Sequence, residues 1–232
     1  MLNQRSTEKE LIDLGPDFYS PEEYAQCLKM LFQINRLLGF FRHTINTLKR
    51  FPNNSSVVDV GCGGGLLLLN LGKHYPKMHL LGLDTSEQAI RLAQKELDAQ
   101  QQPQPNIKFQ LQHQPELTLA PNSVDVILAT LVCHHLNDEA LPVFLAKATE
   151  AARMAVLIND LHRNIIAYWL YKILSPLLFH NRLITHDGLL SIKKSFTKKE
   201  LQLLLKRAQI DNYQIKWHFP FRWSILILKQ KG

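Results

Sequence analysis

Residues 57–65, VVDVGCGGG, decide the fold of this chain. Val57, Val58 and Val60 surround a single acid and predict a short buried strand. The glycines that follow predict a tight turn, because a residue without a side chain adopts the required backbone conformations at little cost. A strand that passes through such a turn into a helix lets the backbone approach a ligand and directs helix N–H groups towards it. The stretch therefore predicts a ligand-binding loop at the end of a strand.

The spacing of the glycines excludes two common nucleotide sites. Gly61, Gly63 and Gly65 form G-x-G-x-G, whereas a dinucleotide fingerprint, G-x-G-x-x-G, requires a glycine where this chain has Leu66. A P-loop ends in G-K-[ST], but the Gly-Lys pair at 72–73 lies outside the turn and is followed by histidine. The loop is therefore not predicted to bind a dinucleotide or a nucleoside triphosphate.

Two further stretches complete the pattern. LLGLDTS at 80–86 reads as a strand that ends in Asp84, an acid suited to accept hydrogen bonds from two ribose hydroxyls. SVDVILATLVCHHL at 123–136 contains a later apolar strand. In this order, the three stretches resemble the glycine loop, acidic loop and fourth strand of the class I S-adenosylmethionine-dependent methyltransferases.

This resemblance implies a fold and a cofactor. The fold is α/β, with a Rossmann-like, doubly wound, mostly parallel sheet of seven strands and a C-terminal antiparallel hairpin strand. Residues 1–50 are expected to form a helical lid, and residues 51–232 the cofactor-binding domain, with a helical insertion after strand five at about 160–208. The cofactor is S-adenosylmethionine, which leaves as S-adenosylhomocysteine. The residues expected to bind it are Asp59, Gly61, Cys62, Gly63, Asp84, Thr85, Gln112, His113 and Ala129.

One expected cofactor contact departs from the family. Gln112 and His113 follow the predicted third strand, where family members usually carry an acid that binds the adenine amino group. The amide oxygen of Gln112 is still able to accept a hydrogen bond from that amino group.

Helical and strand patterns flank these motifs. From Pro21 onwards, apolar residues recur every three or four positions; Ser20 is suited to cap the helix and Gly39 to divide it in two. This region is either a lid over the ligands or plain packing against the sheet. Residues 213–218 and 223–228 predict the terminal hairpin.

Composition narrows the class of protein. Charged residues make up 20% and hydrophobic residues 46% of the 232 positions, which is typical of a folded globule and excludes disordered or collagen-like chains. The start, MLNQRSTEKELIDLG, is charged where a signal peptide would be apolar, so a cytoplasmic protein is expected. Cys27, Cys62 and Cys133 are odd in number and lack a C-x-x-C pair, so neither a disulfide framework nor a zinc site is predicted.

Much of the net charge of +7 lies in one segment. Residues 189–207 contain six Lys or Arg against Glu200, so they contribute +5. Such a stripe attracts RNA, anionic lipid or an acidic small molecule, or it is simply a solvated helix face. Methylation of RNA or protein is therefore an alternative function.

Residues 165–179 form an apolar run that Lys172 and Pro176 interrupt. A membrane-spanning helix needs about 20 apolar residues, so this run is too short to cross a bilayer. It is suited to roof an apolar substrate pocket, to form a dimer interface or to lie on a membrane surface. Both a monomer and a homodimer are therefore compatible with the sequence.

Histidines near the predicted strand ends are candidate catalytic groups. Methyl transfer to a hydroxyl is helped by a general base, and histidine suits that role near neutral pH. His135 is preferred to His134, because neighbours in an extended segment point to opposite sides. His162, which Asp160 is placed to orient, and His186, which precedes an aspartate, are the other candidates. Their spacing fixes no ligand geometry, so no metal is predicted.

The acceptor is predicted from weaker signals. NDLHRN at 159–164 and HDGLLSIKKSFT at 186–197 resemble a subgroup of bacterial small-molecule methyltransferases that act on phenolic, polyketide or quinone-like acceptors. Aromatic residues of the apolar run, such as Tyr168, Trp169 and Tyr171, would then line the pocket. The expected reaction is methylation of oxygen or carbon on a small, largely apolar acceptor. A non-catalytic scaffold that only binds the cofactor is the remaining alternative.

Overall fold

A computed structural model describes residues 2–114 and 116–229. Its strands are β1 (Ser56–Val60), β2 (His79–Asp84), β3 (Ile107–Leu111), β4 (Val124–Thr130), β5 (Ala152–Leu161), β6 (Tyr213–His218) and β7 (Arg222–Leu228). Its α-helices are α1 (Pro21–Leu37), α2 (Phe40–Leu48), α3 (Leu66–His74), α4 (Glu87–Asp98), α5 (Ala140–Ala151), α6 (Ile165–Leu178), α7 (Arg182–Lys194) and α8 (Lys198–Arg207). Short 3-10 turns lie at Leu11–Leu14, Pro16–Phe18 and Cys133–His135.

The seven strands form one sheet in the order β3-β2-β1-β4-β5-β7-β6. Strands β1 to β5 are parallel, whereas β7 runs antiparallel to both β5 and β6. This confirms the predicted mostly parallel sheet with its terminal hairpin. The strand order reverses between β1 and β4. Ligands of open α/β sheets bind beyond the carboxyl ends of the strands at such a point.

Apolar side chains cover both faces of the sheet. On β1, Val58 and Val60 pack with α5 and α8, while Val57 packs on the opposite face with α2 and α3. The alternation follows from the period of two along a strand. Because the central strands are buried on both faces, they are almost wholly apolar, as parallel strands usually are.

Local signals at several helix ends are confirmed. The Ser20 hydroxyl accepts from the backbone N–H of Glu23 and caps α1. Gly39 adopts φ +72 and separates α1 from α2. The structure also shows a capping box at the start of α8, formed by Thr197 and Glu200.

The fifth strand is longer than its apolar core suggests. Residues 154–158 predict the strand, but β5 extends to Leu161 because it pairs with β4 on one side and with β7 on the other. The insertion after β5 consists of α6, α7 and α8, and Asn164 caps α6 by accepting from Ile166 N at 2.9 Å. Within the described residues, no helix is long and apolar enough to cross a membrane.

Candidate active site

A cavity of about 990 Å³ lies at the carboxyl ends of β1, β2 and β4. Its walls come from the glycine loop, from the ends of β2 and β4, from one face of α1 and from the N-terminal segment around Asp13. Helix α1 contributes mainly apolar side chains, among them Tyr24, Leu28, Leu31 and Phe32, together with the polar side chain of Asn35. The cavity is therefore polar towards the sheet and largely apolar towards α1.

Backbone hydrogen bonds hold the glycine loop against β2. The N–H groups of Gly61 and Cys62 both donate to the carbonyl of Leu83, at 2.7 and 3.0 Å. Gly61 has φ +71, and a Cβ there would lie 2.4 Å from Cγ2 of Val132. Both the left-handed backbone and the space exclude a side chain at this position.

Asp84 links the loop to the end of β2. Its Oδ2 accepts from Gly63 N and its Oδ1 from Ser86 N, each at 2.8 Å. Burial raises the pKa of Asp84 above its ordinary value, although these backbone hydrogen bonds act against the rise. Each carboxylate oxygen keeps a further lone pair for a ligand hydroxyl.

Three buried polar atoms on the cavity wall make no hydrogen bond within the described chain: Asp59 Oδ1, Gln112 Oε1 and Thr130 Oγ1. Buried polar atoms in proteins nearly always have a partner. Their convergence on one cavity therefore indicates that a polar ligand supplies those partners. The residues fit the nucleoside and amino-acid ends of S-adenosylmethionine.

Asp59 and Gln112 are prepared for different contacts. Burial, with the negative charge of Asp84 adding to it, raises the pKa of Asp59 to about 8, so its carboxyl carries a proton at neutral pH and is able to donate. The Nε2 group of Gln112 donates to the carbonyls of Gln114 and Glu116, at 2.7 and 3.2 Å. The Oε1 atom of Gln112 is then left as an acceptor, as an adenine amino group requires.

Most of the expected cofactor residues lie together on this wall, namely Asp59, Gly61, Cys62, Gly63, Asp84, Thr85 and Gln112. Two do not. The side chain of His113 is exposed, and Ala129 is fully buried within β4, so neither lines the cavity. Thr130, at the end of β4, and Leu131 and Val132, which follow it, line the cavity instead of Ala129.

The adjacent histidines His134 and His135 have different surroundings. His134 is buried, and its Nδ1 and backbone N–H bond the two carboxylate oxygens of Asp160, at 2.8 and 3.2 Å. His135 lies on the cavity wall, and its Nδ1 bonds a carboxylate oxygen of Asp13 at 2.9 Å. The 3-10 turn, rather than an extended strand, separates their directions.

The pKa of His135 is raised above its ordinary value, and the pKa of its partner Asp13 is lowered. Burial lowers the pKa of His135, but the hydrogen bond to Asp13 and the negative charges of Glu10 and Asp13 outweigh it, so the pKa lies above its ordinary value. Burial opposes ionisation of Asp13, yet the bond to His135 and the charges of His135 and Lys194 lower its pKa to about 2. Asp13 is therefore an ionised partner that favours a proton on His135.

Sequence reasoning missed the acidic groups around His135. Glu10 is buried, with Oε2 3.9 Å from His135 Nε2, and Lys194 Nζ lies 3.4 Å from Glu10 Oε1 and 3.2 Å from Asp13 Oδ2. A carboxylate oxygen of Glu10 and ring nitrogens of His134 and His135 lie within 4.8 Å of one another, a spacing that is compatible with coordination of one metal ion. The ammonium group of Lys194 already supplies a positive charge there. No sequence spacing relates residues 10–13 to residues 134 or 194.

Several side chains fasten the N-terminal segment over this cluster. The backbone N–H groups of Leu11 and Ile12 donate to the two oxygens of Asp187, at 2.9 and 3.0 Å. The Arg5 guanidinium stacks over Phe196 and donates to the carbonyl of Leu136 at 2.8 Å. Asp13 is thus presented to His135 by tertiary contacts.

The other predicted catalytic residues lie elsewhere. His162 accepts from Trp217 Nε1 at 3.2 Å and does not line the cavity. The expected pairing of His162 with Asp160 is wrong, because Asp160 is buried and bonds His134. His186 is exposed and bonds the neighbouring aspartate rather than facing the cavity.

The glycine loop, Asp84 and the seven-stranded sheet define a class I methyltransferase, and comparisons with known proteins agree. The family model described as a methyltransferase domain matches residues 57–154. A ubiquinone biosynthesis O-methyltransferase of Coxiella burnetii (strain RSA 331 / Henzerling II) is 32% identical over 193 residues, covering 80% of this chain and 76% of the relative. The chain belongs to the S-adenosylmethionine-dependent methyltransferases.

Solved structures share the fold at low sequence identity. A SAM-dependent methyltransferase from Aquifex aeolicus is 18% identical, with a TM-score of 0.65 over 90% of this chain and 98% of that chain. The plantazolicin methyltransferase BpumL is 20% identical, with a TM-score of 0.65 over 93% of this chain and 91% of its own. At these identities the similarity establishes the fold.

Proposed function

We propose that this enzyme methylates a hydroxyl oxygen of a small, largely apolar phenol- or quinol-like acceptor, with His135 as general base. The observation that carries the proposal is the position of His135, which lines the same cavity as the glycine loop and Asp84. The name of the Coxiella burnetii relative, an O-methyltransferase of ubiquinone biosynthesis, supports oxygen as the acceptor atom.

The chain's own groups hold the cofactor on the sheet side of the cavity. When bound, S-adenosylmethionine supplies a methyl group carried on a positively charged sulfur. Asp84 is placed for the ribose hydroxyls, Gln112 Oε1 for the adenine amino group, and the backbone of Gly61 and Gly63 for the amino-acid end. Methyl transfer is a displacement in line, so the enzyme's main task is alignment of the acceptor and exclusion of water.

The opposite wall is suited to an apolar acceptor. Tyr24, Leu28, Leu31 and Phe32 project from α1, and Phe144 of α5 adds a further aromatic ring to the cavity lining. Burial of a ring among such side chains gains about 25 cal/mol for each Å² of apolar surface removed from water. A small aromatic ring with a hydroxyl directed at His135 matches the surface that the cavity presents.

His135 is arranged to take the hydroxyl proton. Asp13 is ionised, so Nδ1 of His135 carries the hydrogen of their 2.9 Å bond, which leaves Nε2 as the free basic nitrogen. Nε2 lies 3.9 Å from Glu10 Oε2, too far for a hydrogen bond. A hydroxyl in the cavity is therefore able to donate its proton to Nε2 as the methyl–oxygen bond forms.

The basic stripe does not favour RNA or protein as the acceptor. Among the described residues, no Lys or Arg of the 193–207 segment lines the cavity. Nucleic-acid binding depends on contacts of Lys and Arg with phosphates. Arg91 is a basic residue of the cavity lining, but it lies on α4, so the stripe itself supplies no such contact there.

The test begins with cofactor binding and continues with turnover. Calorimetry with S-adenosylhomocysteine is expected to show one site per chain. Incubation with S-adenosylmethionine and a panel of phenols, catechols and quinols is expected to give methyl ethers, identified by NMR of the product. Binding without turnover of any acceptor would indicate a scaffold, and a new carbon–methyl bond would overturn the oxygen assignment.

A further inference from the structure

Helix α6 presents an almost wholly apolar face to the outside of the molecule. Leu177 is 73% exposed and Ile173 is 61% exposed, whereas large apolar side chains are normally buried. The exposed large apolar residues of this helix are Ile165, Ile166, Trp169, Leu170, Ile173, Leu174, Leu177 and Leu178. Lys172 is the single charged residue of α6. Contiguous apolar surface of this kind marks an interaction site.

The opposite face of α6 is held firmly by the rest of the insertion. Ala167, Tyr168 and Ser175 are buried, and the Tyr171 hydroxyl donates to the carbonyl of Ile184 in α7 at 2.7 Å. A Cβ at Gly188 of α7 would lie 2.2 Å from that hydroxyl, so the two helices are in close contact. The outward direction of the apolar face is therefore set by packing.

The structure excludes one of the roles that the sequence allows for this segment. Among the described residues, the cavity wall contains none from 165–179, so Tyr168, Trp169 and Tyr171 do not form the expected pocket lining. Two roles remain, a membrane surface and an interface with a second copy.

The charges around α6 are complementary to an anionic surface. The sequence contains no Asp or Glu between Asp160 and Asp187. Lys172 lies over the ring of Trp169 at 4.8 Å, and Lys193 over the ring of Tyr168 at 5.9 Å. Neither lysine forms an ion pair within the described residues. A two-fold dimer would bring this basic, acid-free face against itself, which costs electrostatic energy.

We propose that α6 docks on the surface of an anionic lipid bilayer. The apolar face enters the boundary between headgroups and acyl chains, while Lys172 and Lys193 extend to the lipid phosphates. Basic residues near an anionic leaflet strengthen such binding, and apolar burial supplies the rest. Membrane binding of this kind does not depend on the acceptor, so it is measured without any substrate and independently of methyl transfer.

Vesicle sedimentation tests this directly with the full chain. Wild type is expected to bind vesicles of phosphatidylcholine mixed with phosphatidylglycerol, and to bind phosphatidylcholine alone more weakly. The double variant Ile173→Ser, Leu177→Ser is expected to lose roughly tenfold or more of that affinity. Leu203→Ser is the matched control, because Leu203 is also exposed, at 58%, but lies on α8. Lys172→Glu is expected to remove the preference for the anionic lipid.

Trp169 provides an internal depth probe. Lipids brominated along the acyl chain are expected to quench its fluorescence in wild type, and Trp169→Phe is expected to abolish most of that quenching. Retained binding of S-adenosylhomocysteine shows that each variant is folded. Equal vesicle affinity of wild type and double variant would overturn the proposal. So would a wild-type dimer that ignores vesicles and that the double variant separates into monomers.

Discussion

The two sides of the cavity are built in different ways. On the cofactor side, backbone N–H groups of the Gly61–Gly65 loop donate to the carbonyl of Leu83 and to the carboxylate of Asp84, both at the end of the next strand. On the proposed acceptor side, Asp13, His135 and Lys194 come from three segments that are distant in sequence and meet only through their side chains. A backbone site tolerates little change, whereas side chains on separate elements are able to vary. The fold therefore constrains which methyl donor binds, whereas the particular side chains on that fold determine which methyl acceptor binds.

The two sides of the cavity also differ in the pKa of a carboxyl group that each contains. Asp59 is buried beside another acid and its pKa rises to about 8, whereas Asp13 faces His135 and Lys194 and its pKa falls to about 2. The cofactor side thus holds a neutral carboxyl, and the acceptor side an ionised one that supports a base.

The largest expected effect concerns the acceptor side. Replacing His135 by Gln removes the proposed base, so the rate of methyl transfer should fall by roughly 10²- to 10⁴-fold. Affinity for S-adenosylhomocysteine, measured by calorimetry, should stay close to that of wild type. His113→Gln, at an exposed histidine outside the cavity, is the matched control. An unchanged rate in His135→Gln would remove the base from the mechanism.

A second variant tests the cofactor side. Asp84→Asn weakens hydrogen bonds to a charged acceptor, each worth about 1.5–3 kcal/mol, so S-adenosylhomocysteine should bind on the order of 10- to 100-fold more weakly. The rate at saturating cofactor should change less than the affinity. Asp211→Asn, at an exposed aspartate, is the control. If His135→Gln and Asp84→Asn impaired binding and rate alike, the two sides would not be separable.

The pH profile sharpens the role of Asp13. His135 acts as a base only when unprotonated, so the rate should fall as pH drops through its raised pKa. In Asp13→Asn the carboxylate that raises this pKa is gone; the acid limb should therefore move to lower pH. The rate at the plateau should fall roughly five- to tenfold, equivalent to one hydrogen bond. An acid limb that stayed in place would show that another group titrates.

The smallest expected effect concerns Gln112. Gln112→Leu removes one neutral hydrogen bond, worth about 0.5–1.5 kcal/mol, so the affinity for S-adenosylhomocysteine should fall roughly two- to tenfold. Gln112→Glu keeps an acceptor oxygen but, like Gln112→Leu, loses the donor to the carbonyls of Gln114 and Glu116, so it should bind more tightly than Gln112→Leu and less tightly than wild type. Calorimetry on the two variants distinguishes an adenine contact from a structural role, because only the former depends on the acceptor oxygen.

Much of the fold could be predicted from local patterns, and part of the site could not. Local sequence was enough to predict the apolar strands, the helix boundaries at Ser20 and Gly39, and the terminal hairpin, because each of these signals lies within a few residues. The end of β5 was not, since pairing with β4 and β7 extends it beyond its apolar core. The cytoplasmic location and the oligomeric state stay predictions.

The sequence by itself determined most of the cofactor side of this protein, because the G-x-G-x-G loop and the Asp84 carboxylate lie at the ends of strands that local patterns predict. Only the tertiary structure decided which histidine faces the cavity, that Asp13 supports it, and that Asp160 belongs to His134. It also decided that α6 turns its apolar face outwards. The physical reason is range: a turn and its hydrogen bonds are local, whereas burial and the pairing of charges depend on elements that meet only when the chain has folded.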